Sequence, residues 1–172
     1  MMNDNQEINF DVEELTRLKR LQEYERQGFV FHGSSNGNIS ILEPRLASDI
    51  DKSNAFNNDT AVFAALSPKA AILIACMSFV SIPPEKRKGF WSIDSTDKDN
   101  CITARIPSKW KSFVITNHGF VYVLPGESFR GRNESGWQAK SKSAVIPTAK
   151  IEVSFEDFER SGGVIEWKEG DE

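Results

Sequence analysis

The sequence predicts an α+β fold, and three observations carry that prediction. Two segments, 10–27 and 69–79, have helical signals; the rest is mostly short β-prone runs between turns; and strands do not alternate regularly with helices. The 172 residues suit a single domain. It divides into a polar lead at 1–9 expected to be flexible, a helix at 10–27, a core at 28–168 and an acidic, frayed tail at 169–172. Twelve Phe, four Trp and two Tyr supply a core, each worth about 1.5–3 kcal/mol when buried, before conformational entropy cancels most of the gain.

Taken in order, the first helix has Asn9 or Asp11 as cap, Glu13 and Glu14 in its first turn, basic residues toward its end and Gly28 as its stop. Leu15, Leu18, Leu21 and Tyr24 form one apolar stripe, expected to rest on the outside of a sheet. A strand, Phe29-Val30-Phe31-His32, then runs into the turn Gly33-Ser34-Ser35. Residues 36–58 read as a long polar connection broken by Ile39 to Arg45, a kind of loop that often carries function. Thr60 to Ala65 is a second strand, and Ser67-Pro68 caps and starts the apolar helix at 69–79.

Beyond Ile82 the pattern turns to strands: Gly89–Ile93, Cys101–Ile106, Ser112–Ile115, Gly119–Leu124, Ala144–Ile146 and Ile151–Phe155. Asp94 to Asn100 reads as a hairpin-like loop. Phe155 to Arg160 is a helical turn, and Val164 to Trp167 an edge strand or a packed tail. The expected total is two or three helices flanking two small mixed or antiparallel sheets.

Composition and absent motifs remove several function classes. A formal charge of −4 does not suggest general nucleic-acid binding. No apolar stretch approaches the roughly 18–20 residues of a membrane span, and the polar start is no secretory leader, so a cytoplasmic protein with no membrane partner is expected. Two cysteines without CxxC spacing and two histidines give no metal-site pattern. The sequence lacks GxGxxG, GxxxxGK[ST], HExxH and GxSxG.

What remains is one combination: Phe31-His32-Gly33-Ser34, then Leu42-Glu43-Pro44, then Val62-Phe63-Ala64-Ala65 leading through Ser67-Pro68 into an alanine-rich helix. A histidine at a strand end beside a glycine can donate to a ligand hydroxyl, with Ser34 adding a polar contact; the plain alternative is a polar turn. The arrangement resembles the ADP-ribosyltransferase family, most closely its small bacterial branch typified by rifampin-modifying enzymes. The likeness covers residues 29–80, and 119–155 more loosely.

The resemblance implies two sheets, roughly perpendicular, forming a cleft for NAD. It implies His32 on the nicotinamide-side ribose, Gly33 and Ser34 beside it, and Phe63 stacked on nicotinamide where the family has Tyr; Arg45, read apart from the resemblance, can reach a pyrophosphate as a bidentate donor or stay a surface arginine. The reaction would cleave the nicotinamide–ribose bond and transfer ADP-ribose to an acceptor, left open among small molecule, protein and nucleic acid.

The third motif departs from the family. Phe120 to Pro125, Phe129 and Trp137 align, but Gly136 stands where the family has Glu. Glu134 or Gln138 is left as the candidate third residue. Loss of such a carboxylate costs about 10²–10³ in rate, so a catalytically silent binding module is the rival reading. An NAD-dependent 2′-phosphotransferase is weaker, because Arg45 is the sole arginine between Phe31 and Phe63. Arg130, Arg132, Lys140 and Lys142 form a basic cluster beside this motif, able to meet a phosphate or to stay solvated.

Overall fold

The computed structural model describes residues 16–46, 55–77, 81–96, 101–133 and 136–170. The expectations for residues 1–9, for the start of the first helix, for Glu134 and for the extreme end of the tail lie outside them. The described residues form a mixed α+β structure with two sheets. The larger contains β1 (Val30–Ser34), β2 (Arg45–Leu46), β3 (Thr60–Ala65), β6 (His118–Leu124), β7 (Gln138–Ser141) and β8 (Ala149–Ser154); the smaller contains β4 (Ser92–Thr96), β5 (Cys101–Pro107) and β9 (Val164–Lys168).

Helix α1 is described over 16–26 and ends at Gly28, whose φ of 88° allows the left-handed stop. Leu18 and Leu21 are buried and Tyr24 packs against the same cluster. The described neighbours of this stripe include helical residues: a cavity of about 200 Å³ lies between it and Pro68, Ile72 and Ser161, and Arg17 reaches Asp157 at 3.4 Å.

Helix α2 (Pro68–Cys76) lies in the main core. The Ser67 hydroxyl accepts from Lys69 N at 3.3 Å, and Pro68 occupies the first turn where no amide partner is lost. Ala70 to Leu73, Ala75 and Cys76 are all buried, as befits a helix enclosed by its surroundings. It lies on β1 and β6 at backbone distance. A Cβ on Gly33 would fall 2.1 Å from Ala71 O, and one on Gly119 would fall 2.3 Å from Ala75 O.

Along the large sheet, β6 pairs antiparallel with β1 and with β8, while β3 carries β7 on one edge and β1 on the other. One buried cluster joins the α2 side of this sheet (Phe31, Val121, Val123) to α2 and to Ile93, Ile102 and Ile106 of the small sheet. The opposite side, with Val30, Ala64 and Tyr122, forms a second cluster under Ile39, Leu42 and Phe129. In the small sheet β4 and β5 form an antiparallel pair, and β9 adds parallel to β5 as an edge strand.

Several expectations are corrected. Ser112–Ile115 is not a strand: Lys111–Val114 is helix α3, continuing a 3-10 turn at Ser108–Trp110. Trp110 and Val114, four apart, are buried together, so the helical period outweighs local β propensity. Ala144–Ile146 contributes only a bridge, Leu42 to Val145. The strand expected at Gly89–Ile93 is Ser92–Thr96, because pairing with Cys101–Arg105 draws Asp94 into the ladder. With α4 (Phe155–Arg160), whose Ser154 and Asp157 form a reciprocal cap, the described residues contain four helices rather than two or three.

Candidate functional site

β1 and β3 pair through Phe31 and Ala65 alone, whereas β3 continues along β7 from Ala65 to Val62. Past that bridge β1 and β3 part. His32 sits at the parting, and its ring reaches across so that Nδ1 lies 2.9 Å from Phe63 O. A carbonyl only accepts, so Nδ1 carries the proton and Nε2 presents a lone pair. Nε2 has no protein partner among the described residues.

Burial lowers the His32 pKa from its ordinary value; the Phe63 carbonyl opposes this, and the charge of Arg45 adds to the lowering. The imidazole is therefore neutral at pH 7. In this state Nε2 can accept from a hydroxyl but cannot act as the donor the sequence alone suggested.

Tyr122 is the direct partner of His32 on β6. Its hydroxyl donates to Asn36 O at 2.6 Å and accepts from Ile39 N at 3.1 Å, pinning the loop that follows β1. The Ser34 hydroxyl accepts from Asn36 N at 3.1 Å, which turns the same loop. Gly33 is explained by α2: its missing side chain makes room for the helix. Arg45 is exposed on β2, opposite Ala61.

Side chains alternate along a strand and paired residues share a face. Phe63 shares the α2 side with Ala65, and through β7 with Gln138 and Lys140, which pair with Ala65 and Phe63. His32 projects on the other side with Tyr122. The two rings thus do not face one another across a single surface. A ligand touching both must occupy the gap where the strands part. Phe63 is partly exposed and already meets the Phe56 ring edge-on, centroids 5.8 Å apart at 68°.

Of the third-site candidates, Glu134 lies outside the described residues. Gln138 opens β7, and its side-chain amide has no partner among the described residues. Asn133 closes the preceding turn, its Oδ1 accepting from Trp137 N at 3.0 Å and Gln138 N at 3.2 Å. Gly136, at φ 74°, completes that turn in a conformation a glutamate would adopt only under strain. Trp137 is buried in the main core rather than presented to a cleft.

Phe56 and Asp59 were not apparent as site residues from sequence: Phe56 lies in the 36–58 connection, which reads as an undifferentiated polar loop, and Asp59 in the gap before the strand that starts at Thr60. They converge with Lys140 and Lys142 beside Phe63: Asp59 bridges both ammonium groups. Arg130 is exposed and donates to nearby backbone, to Phe129 O at 2.9 Å and to Glu127 O.

Cys76 is buried, its thiol pushed up to about 12 by burial, so it stays protonated and unreactive. Among the described residues no three His, Cys, Asp or Glu gather to hold a metal, and no helix is long and apolar enough to cross a membrane. A cavity of about 280 Å³ between Gly28, Phe129 and Arg132 lies at the other end of β1 from Ser34. No family model, curated protein or solved structure matches the chain.

Proposed function

We propose that this chain is an ADP-ribosyltransferase-like protein that binds NAD where β1 and β3 part. The observation that carries the reading is His32: a neutral imidazole locked to Phe63 O at 2.9 Å, with Nε2 open to accept a ribose hydroxyl. Phe63 offers a partly exposed ring for nicotinamide and Gln138 an uncommitted amide on the same face. Arg45 supplies a cation close enough to influence His32. The reaction class is cleavage of the nicotinamide–ribose bond with transfer of ADP-ribose to an acceptor.

A second reading, NAD binding without turnover, is favoured by Gly136. The turn needs a left-handed residue at the position where the resemblance expects the acid, and Gln138 brings no charge to a developing oxocarbenium ion. Calorimetric titration with NAD tests the shared part: saturable binding lost in His32→Ala is expected, and equal affinity for parent and variant would sink the assignment. Nicotinamide release measured over hours then separates transferase from binding module.

A further inference from the structure

Lys140 and Lys142 close on one carboxylate. Lys140 Nζ lies 3.0 Å from Asp59 Oδ2, and Lys142 Nζ bonds Asp59 Oδ1. Each oxygen receives its own ammonium, the arrangement that two oxygens of a phosphate group accept equally well.

The fork is built rather than incidental. Lys140 Nζ stands 4.4 Å from the Phe56 ring centroid and 3.3 Å from Phe56 O, which fixes the longer-buried arm. Its side chain is 20% exposed against 63% for Lys142. Asp59 precedes β3 and accepts from Thr60 N at 2.8 Å. Hydrogen bonds from Lys142 and Lys140 hold its carboxyl down to about 2, so the resident group is an anion at any physiological pH. Lys140 is also the cross-strand partner of Phe63, placing the fork on the Phe63 side of the sheet.

We propose that Lys140 and Lys142 form a binding site for a phosphate group, in which Asp59 is the resident anion that a phosphate-bearing ligand displaces. The phosphate belongs either to NAD, in which case the proposal deepens the reading above, or to another phosphorylated compound. The fork itself needs neither assumption.

Calorimetry of the full chain with inorganic pyrophosphate at low ionic strength tests it. Weak saturable binding to the parent is expected, tightened about fivefold in Asp59→Asn because the competing carboxylate is gone. Binding should vanish in the Lys140→Met/Lys142→Met double variant. Glu166→Gln, the same charge change on the small sheet, should stay within about twofold of the parent.

Asp59→Asn binding no tighter than Glu166→Gln would overturn the proposal, leaving an ion cluster that only anchors the loop. Should Asp59→Asn lose its native circular dichroism, Lys142→Met decides: this half-solvated arm can be removed without touching the core. Affinity at least about fivefold weaker supports the fork, and unchanged affinity overturns it. A parallel NAD titration separates the sources. NAD binding that falls with the double variant assigns the phosphate to the dinucleotide, whereas pyrophosphate binding without NAD binding defeats the NAD reading and leaves the fork standing.

Discussion

The carbonyl oxygen of Ala71 lies 2.1 Å from where a Cβ on Gly33 would begin, with Ala75 N at 2.8 Å. Neither atom can yield, because both belong to the backbone of a buried helix. Gly33→Ala should therefore push α2 off β1 and lower stability by about 3 kcal/mol or more. Gly119→Ala, meeting Ala75 O at 2.3 Å, should do the same from β6. Urea denaturation measures both. A Gly33→Ala loss below about 1 kcal/mol would mean that α2 sits farther out than described. The same contact warns that lost ligand binding in Gly33→Ala reports on the fold, not on a glycine–ligand contact.

His32 gives stability a defined pH dependence. Burial holds its folded-state pKa below the ordinary 6.5, so the unfolded chain binds the proton more readily. Its contribution is complete above pH 6.5 and is lost as pH falls from there through the folded-state pKa. His32→Asn removes this titration, so the parent-minus-variant difference in unfolding free energy should decline from pH 7.5 to 5. A flat difference would place His32 in a solvated site. On the NAD reading, affinity falls over the same range, since protonated Nε2 no longer accepts from the ribose.

Tyr122 holds the loop after β1 through two hydrogen bonds on one buried hydroxyl. Tyr122→Phe keeps the ring in its cluster and leaves Asn36 O and Ile39 N without their partner, a loss of about 1–2 kcal/mol. Hydrogen exchange locates the effect: the Ile39 amide should exchange at least about tenfold faster while amides of β6 itself remain protected. Uniform acceleration throughout the sheet would instead show that the hydroxyl supports the whole fold.

Local signals were legible where one residue decides the structure. Thr60–Ala65 and the Ser67-Pro68 helix start stand where propensity and capping place them, and Gly28 stops α1. Pairing between distant segments was not legible. The parallel addition of β9 to β5 and the single bridge between β1 and β3 depend on contacts that no window of sequence contains. Phe113-Val114-Ile115 misled as a strand because the deciding contact, Trp110 against the core, lies just upstream. At the candidate site, His32 was visible from its Gly-Ser neighbours and Phe63 from the strand before α2. Their opposite projections follow only from the Phe31–Ala65 register. Asp59 was invisible because its meaning comes from two lysines about eighty positions away.

The missing acid can be tested by choosing where to restore it. Gly136 is the position suggested by the resemblance, yet its φ of 74° makes any side chain cost about 1–2 kcal/mol there and leaves the turn to compete with the catalyst. Gln138 is better placed: it opens β7 opposite Ala65, shares a face with Phe63, and its backbone is fixed by Asn133. Gln138→Glu changes one amide to a carboxylate of the same size and adds the charge that an oxocarbenium-like state requires. On the transferase reading it should raise nicotinamide release from NAD by about 10²-fold with little change in NAD affinity, whereas Gly136→Glu should lower the melting temperature and gain nothing. Rates are compared at saturating NAD, so binding differences drop out. If Gln138→Glu binds NAD and releases nicotinamide no faster than the parent, Gln138 does not face the scissile bond and the third-site assignment fails, while the His32 assignment stands or falls on its own titration.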